Sequence, residues 1–298
     1  MPTVRDRPLG AHTSIAGGVA KAVARALAIG ADALQIFTRN QVRWQSPPLA
    51  PNAVREFLEA FNGSGIRFLC AHSSYLINLA SPDKDTRQKS CAALLEETRR
   101  AEELGCSCLV LHPGSPKKDD VTVGIERIVA GLEQVLAETA DCSVRIALEN
   151  TAGQGASLGA AFEELGSIAE RVGNPERLGL CLDTAHAFAA GYDLREESVV
   201  NDLVSTIDAN FGVDRLYLMH LNDSLSGVGN RVDRHANIGE GTIGVQGFRN
   251  LLRHPELQAT PGIIETPKGN NSEEADARNL ACLRELEEPK KKPPQSSK

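Results

Sequence analysis

Short apolar runs alternate along this chain with longer stretches of helical period. The runs lie near Leu9–His12, Ala33–Thr38, Arg67–Ser73, Cys108–Gly114, Val144–Thr151, Leu178–His186, Leu216–Asp223 and Gly262–Thr266. Between them, AGGVAKAVARALAIGA, KSCAALLEETRRAEELG, VGIERIVAGLEQVLAETA and AAFEELGSIAERVG repeat apolar residues every three or four positions, the spacing of one buried helix face. Gly30, Gly105 and Gly173 follow three such stretches, the usual helix stop. Strand–helix alternation of this kind predicts parallel strands joined by crossover helices. Eight such units predict an α/β fold, a (β/α)8 TIM barrel, rather than an open doubly wound sheet. The dinucleotide-binding alternative lacks its G-x-G-x-x-G after the first strand.

No linker or composition shift interrupts the rhythm, so one barrel domain is expected over residues 1–286. Residues 287–298, EEPKKKPPQSSK, are polar and rich in Pro and Lys, and read as a disordered tail.

In a barrel the catalytic face is the C-terminal end of the strands. The apolar runs end there in His72, His112, Glu149, Asp183 with His186, His220 and Glu265, and RVDRH adds Asp233 and His235 beyond the seventh. Of the 7 histidines, four sit at these ends and His12 closes the first run. Three-residue windows at eight strand ends cover roughly 8 % of a chain this long, so chance places less than one histidine in them. Carboxylates crowded in a low-dielectric mouth repel one another and resist ionisation, and divalent cations remove that cost. Imidazole with carboxylate, without a set of thiolates, favours zinc or manganese over calcium. Asp233 and His235, two apart, face one side of an extended segment and can chelate one ion. Nine donors are too many for one tetrahedral zinc. Three ions sharing a bridging carboxylate would use them all and leave positions for water and substrate.

The 298 residues carry 32 Lys+Arg against 39 Asp+Glu, for a formal charge of −7, with 41 % apolar and 24 % charged residues. This is ordinary soluble composition and excludes disordered, collagen-like and coiled-coil chains. The apolar runs stop short of the ~18 residues a membrane helix needs, and MPTVRDRPLG has no apolar signal core. A cytoplasmic setting, nucleoid-associated in a bacterium, is expected. The 7 cysteines form no C-x-x-C pair; Cys70, Cys108 and Cys181 lie in apolar runs as buried residues of a reducing compartment.

The motifs GAHTSIAGG, FTRNQVRW, AHSSYLINLASP, LHPGS, LENTAGQG, CLDTAHAFAAGYDL, MHLNDS, RVDRHANIGEGTIG and IIETP occur in that order from about Leu9 to Thr266. Through them the chain resembles endonuclease IV, the metal-dependent apurinic/apyrimidinic endonuclease of base-excision repair. The resemblance implies three Zn²⁺ per chain, with Mn²⁺ the alternative at one site. His72, His112 and Glu149 would hold the first; Glu149, Asp183, His220 and Glu265 the second; His186, Asp233 and His235 the third. It implies that a metal-activated hydroxide hydrolyses the phosphodiester 5′ to an abasic site, leaving a 3′-hydroxyl and a 5′-deoxyribose phosphate. Glu149 and Glu265 would be the catalytic carboxylates, fixing the hydroxide and the ions.

The implied partner is double-stranded DNA containing abasic sites, bound by a monomer without a membrane. Acidity argues against such a partner until the ions are counted: three Zn²⁺ bring −7 to about −1, with positive charge concentrated at the mouth. Arg39 and Arg43, Lys117 and Lys118, and Arg231 and Arg234 would add phosphate contacts on the surrounding loops. An abasic site offers no base, so its reader must sense a gap and a bendable duplex with side chains that enter the stack. The resemblance assigns that task to the loop Asn40, Gln41, Val42, Arg43, Trp44 and to the loop carrying Tyr75. Val42 replaces the long polar side chain, and Ser73 the acidic residue, seen in relatives. These departures leave the chemistry intact and bear on which side chain fills the gap.

His12 is assigned to orientation or packing rather than to an ion, GQG to a tight turn, and His254 to the surface. The alternative activity is that of a metal-dependent TIM-barrel sugar isomerase or epimerase. It would leave His72, His112 and the RVDRH pair without a task. A non-catalytic binding protein would have no need of the full ligand set.

Overall fold

The computed structural model describes residues 7–173 and 175–287. The described strands are β1 (Leu9–His12), β2 (Ala33–Phe37), β3 (Phe68–His72), β4 (Cys108–Leu111), β5 (Arg145–Glu149), β6 (Leu178–Asp183), β7 (Leu216–His220), β8 (Asp223–Ser224), β9 (His235–Ala236) and β10 (Gly262–Ile264). The helices are α1 (Ala20–Ala28), α2 (Pro51–Asn62), α3 (Lys84–Glu103), α4 (Val121–Glu138), α5 (Phe162–Arg171), α6 (Thr184–Ala190), α7 (Glu197–Phe211), α8 (Gly244–Leu252) and α9 (Ser272–Glu287). Eight strands close in the order β1-β10-β7-β6-β5-β4-β3-β2, with every pairing parallel. This is the TIM barrel expected from the alternation of runs. Glu287, the first residue of the expected tail, is instead the last residue of α9; the remainder of that tail lies outside the described residues.

Side chains of a strand alternate between faces, and here the alternation sorts the core in two. Leu34, Leu69, Leu109, Leu148 and Leu182 belong to a large buried cluster shared with the helices. Burying each contributes about 1.5–3 kcal/mol. Their neighbours Ala33, Cys70, Cys108, Val110, Ala147, Cys181, Leu218 and Ile263 form a separate cluster that fills the barrel. One step of two residues along each strand leads from this interior set to Gln35, His72, His112, Glu149, Asp183, His220 and Glu265. The strand period thus delivers six expected ligands, and one glutamine, to the inner face at one end.

The helices start and stop for local reasons. Asp83 and Asp120 cap α3 and α4 by accepting the N–H groups of Thr86 and Thr122. Gly30 and Gly105 follow α1 and α3 at φ of 68° and 73°, where Ala31 donates to the Ala26 carbonyl and Cys106 to that of Ala101. These are Schellman closures, which require the left-handed backbone glycine adopts without strain. Cys70, Cys106, Cys108, Cys142 and Cys181 are buried free thiols. Among the described residues, no helix is long and apolar enough to cross a membrane.

Candidate metal centre

Glu149 is the hub of the mouth. One carboxylate oxygen lies 3.3 Å from Nε2 of both His72 and His112. The other lies 3.0 Å from His220 Nδ1 and 3.4 Å from His186 Nδ1. His220 Nδ1 also lies 3.4 Å from Glu265 Oε2 and 3.9 Å from Asp183 Oδ2. Two ligand atoms on one tetrahedral zinc stand about 3.4 Å apart, given bonds of about 2.1 Å. His72, His112 and Glu149 form one group whose ligand atoms lie within 4.8 Å of one another; Glu149, Asp183, His220 and Glu265 form a second, sharing Glu149.

The third group is built differently. The sixth apolar run does not continue as strand to His186. The strand ends at Asp183, whose side chain caps α6 by accepting the His186 N–H at 2.7 Å, so His186 projects from the first helical turn. His235 opens β9, and Asp233 stands two residues before it in the loop that the ribbon of β8 and β9 closes. The Asp233 carboxylate stands 3.1 Å from His186 Nε2 and 3.3 Å from His235 Nε2. Asp183 Oδ2, 3.8 Å from His235 Nε2, faces the same space. His235 Nε2 is buried yet has no hydrogen-bond partner. A solvent-excluded nitrogen that faces two carboxylates without a well-aligned hydrogen bond to either fits a cation held by all three.

Electrostatics agrees. Burial alone would discharge these rings, but the carboxylates outweigh it. Asp233, Asp183 and Glu265 push His235 up to about 9. Asp183, Asp233 and Glu149 hold His186 well above its ordinary value, and Cys181, Glu265 and Glu149 do the same for His220. Burial works against Glu149 ionising, and the surrounding histidines still hold it well below the usual carboxylate range. For His112 burial wins, and its pKa is lowered. Without ions, protons on imidazole balance the carboxylates; cations would take their place.

Three buried amide residues hold the candidate ligands, and sequence reasoning singles out none of them. The Asn150 side chain accepts the Asp183 N–H at 2.7 Å, and its backbone carbonyl oxygen lies 2.9 Å from His186 Nδ1. Asn222 donates to Asp183 Oδ2 at 2.7 Å and accepts the Glu265 N–H at 2.7 Å. Gln35 donates to Glu265 Oε1 at 2.6 Å, and its Oε1 lies 2.9 Å from His220 Nε2. The available signal is a polar residue beside, or in step with, a ligand: Asn150 follows Glu149, and Gln35 stands two residues after inward-facing Ala33. His12 has the orienting position assigned to it, with Nδ1 3.0 Å from Glu265 Oε1.

The expected DNA-facing residues divide into two groups. Arg39 is a correction. Its side chain is buried, with Nε donating to Glu97 at 2.7 Å and Nη1 to the Trp44 carbonyl at 2.9 Å, so it braces the loop from beneath rather than meeting a phosphate. Trp44 is partly buried against the core, not projecting as a wedge. Asn40, Arg43, Arg231, Arg234, Lys117 and Lys118 are exposed. Gln41 is half-buried, and its backbone carbonyl accepts the Ser74 hydroxyl at 2.6 Å, tying the loop after β2 to the loop after β3. Tyr75 is 63 % exposed, with its ring 5.5 Å from that of Phe37 and 5.6 Å from that of His72; Val42 is 71 % exposed. A cavity of about 320 Å³ opens over the third group, lined by His112, His186, Asp233, Gln154, Ser157 and Arg234.

Comparison with known proteins gives a consistent result. A family described as xylose isomerase-like TIM barrel matches residues 23–286. The chain is 43 % identical to a probable endonuclease 4 of Trichlorobacter lovleyi, over 93 % of this chain and 99 % of that protein. It is 46 % identical to the probable endonuclease 4 of Oleidesulfovibrio alaskensis, over 93 % and 94 %. The crystal structure of endonuclease IV from Thermus thermophilus superposes with a TM-score of 0.82 at 37 % identity, covering 94 % of this chain and 98 % of that one. A D-tagatose 3-epimerase-like protein, at 19 % identity and a TM-score of 0.73, shares the fold alone.

Proposed function

We propose, since this chain belongs to the endonuclease IV family of xylose isomerase-like TIM barrels, that it is a DNA-repair endonuclease. It hydrolyses the phosphodiester 5′ to an abasic site in double-stranded DNA, leaving a 3′-hydroxyl and a 5′-deoxyribose phosphate. The observation that carries this reading is Glu149 standing between two compact His/carboxylate groups, with a third beside them. Nine donors of this kind suit several ions and exceed what a one-ion sugar isomerase uses, and the epimerase likeness is too distant to favour that chemistry.

His72, His112 and Glu149 would hold one ion, Glu149, Asp183, His220 and Glu265 a second, and His186, Asp233 and His235 a third. Zinc suits the donors, with manganese the alternative at one site. Such ions supply Lewis acidity, drawing charge from phosphate oxygens and letting water ionise near pH 7. The chain's own part is to fix that chemistry in space. Glu149 and Glu265 keep the attacking oxygen and the reacting phosphate in one place. Asn150, Asn222 and Gln35 hold the ligands in a single orientation, so little reorganisation is left for the reaction. Arg234 and Gln154 line the adjoining cavity as phosphate and sugar contacts. Arg43 and Arg231 add exposed cations at the rim, and Tyr75 with Val42 presents apolar surface to the gap in the stack. The protein acts as a monomer, on DNA, in the cytoplasm.

The test is a labelled duplex bearing one abasic site. A single cut leaving a polymerase-extendable 3′ end is expected. No cut at any zinc or manganese loading, or a cut 3′ to the lesion, would overturn the assignment.

A further inference from the structure

Gln35 is a fully buried carboxamide on the inner face of β2. A buried amide must satisfy both ends, and its neighbours dictate which end goes where. Glu265 Oε1, 2.6 Å away, can only accept, so the NH2 group must face it. A reversed amide would set two oxygens against each other at that distance. The carbonyl oxygen therefore points the other way, to His220 Nε2 at 2.9 Å. The Cys70 thiol, 3.4 Å from the same oxygen, can donate to it and reinforces this orientation. An oxygen in that place accepts a hydrogen bond from Nε2–H. The ring's other nitrogen, Nδ1, is then left facing Glu149, Glu265 and Asp183 at 3.0, 3.4 and 3.9 Å.

We propose that Gln35 is a positioning residue for the second ion: it fixes the His220 ring with its proton on Nε2, so that Nδ1 is the ligand, and holds Glu265 with its other oxygen turned toward the same space. One amide thus orders two ligands that come from different strands. This rests on ion binding by the second group, and a partner that orients a ligand is worth about ten- to a hundredfold in affinity.

The full-length ion-free chain is titrated with zinc against a chromophoric chelator, and the ring nitrogens of ¹⁵N-histidine-labelled protein are followed by long-range ¹⁵N–¹H correlation. In the wild type, zinc is expected to shift His220 Nδ1 while Nε2 keeps its proton. Gln35→Met, which keeps the length of the side chain and removes both polar ends, is expected to weaken one zinc site by about ten- to a hundredfold and to let His220 populate the other tautomer. Gln35→Glu retains an acceptor for Nε2 and is expected to retain that proton. A zinc-loaded wild type with the proton on Nδ1 overturns the proposal whether or not the Met variant folds. So does a Met variant with unchanged affinities and an unchanged ring. A wild-type chain that takes up no zinc overturns the metal centre itself, and this role with it.

Discussion

The Arg39 guanidinium donates to the Glu97 carboxylate at 2.7 Å, with each side chain only 1 % exposed. Glu97 also accepts the Ser74 N–H at 2.9 Å, and Arg39 also donates to the Trp44 carbonyl. A buried ion pair thus joins the loop after β2 to the loop after β3.

Arg39→Ala leaves the Glu97 charge buried and unpaired, which costs about 3–5 kcal/mol when one partner of such a pair is removed. Urea denaturation is expected to show that loss. A phosphate-contacting arginine would behave otherwise: stability would hold, and the salt dependence of DNA binding would fall by about one unit of slope.

Tyr75→Ala removes an exposed ring that packs edge-on against Phe37. Stability is expected to change by no more than about 0.5 kcal/mol. Preference for abasic over intact duplex is expected to fall by about 1–3 kcal/mol, the worth of one aromatic platform against a base. Competition binding with the two duplexes measures it, and equal discrimination by variant and wild type would remove the proposed role.

Arg231 is an exposed non-glycine residue at φ 54°, a conformation costing about 1–2 kcal/mol for a side chain with Cβ. Arg231→Gly is expected to leave stability unchanged or raised by less than about 1 kcal/mol, because glycine's unfolded-state entropy offsets part of the relief. DNA affinity is expected to drop, with the salt slope reduced by about one. Thermal melts and binding isotherms at several salt concentrations separate the two effects.

Ion uptake is expected to expel protons. Despite burial, Asp233 and its neighbours raise His235 from its ordinary 6.5 to about 9 in the ion-free protein. A group raised in this way adds stability that is fully present below about 6.5 and lost as pH climbs through about 9. A ligating ring must be neutral, so zinc binding at pH 8 is expected to release at least one proton per chain, read by calorimetry in buffers of different ionisation heat. The ion-free chain is expected to lose melting temperature between pH 7 and 9.5, and the loaded chain to hold it.

The strand ends are legible because a barrel strand buried on both faces is apolar until it reaches the mouth, so His72, His112, Glu149, His220 and Glu265 stand out where each run turns polar. Asp233 and His235 are legible as a candidate chelating pair, though not the ribbon that positions them. Arg39 is misread from sequence because its partner lies 58 residues away on α3, and a loop arginine looks the same whether it meets carboxylate or phosphate. Gln35 escapes notice because it stands inside an apolar run, where only the inner-face step of two residues distinguishes it from Leu34 and Ile36. Local pattern carries the elements and their polar ends; the pairings between distant elements need the closed barrel.

Counting bound ions tests the account most directly. The purified chain is dialysed against limiting free zinc and analysed for metal and protein together. Close to three ions per chain are expected, since Glu149 can serve two groups and His186 and His235 meet Asp183 and Asp233 in a third. A single equivalent, or none, would contradict the cluster from which the activity has been argued.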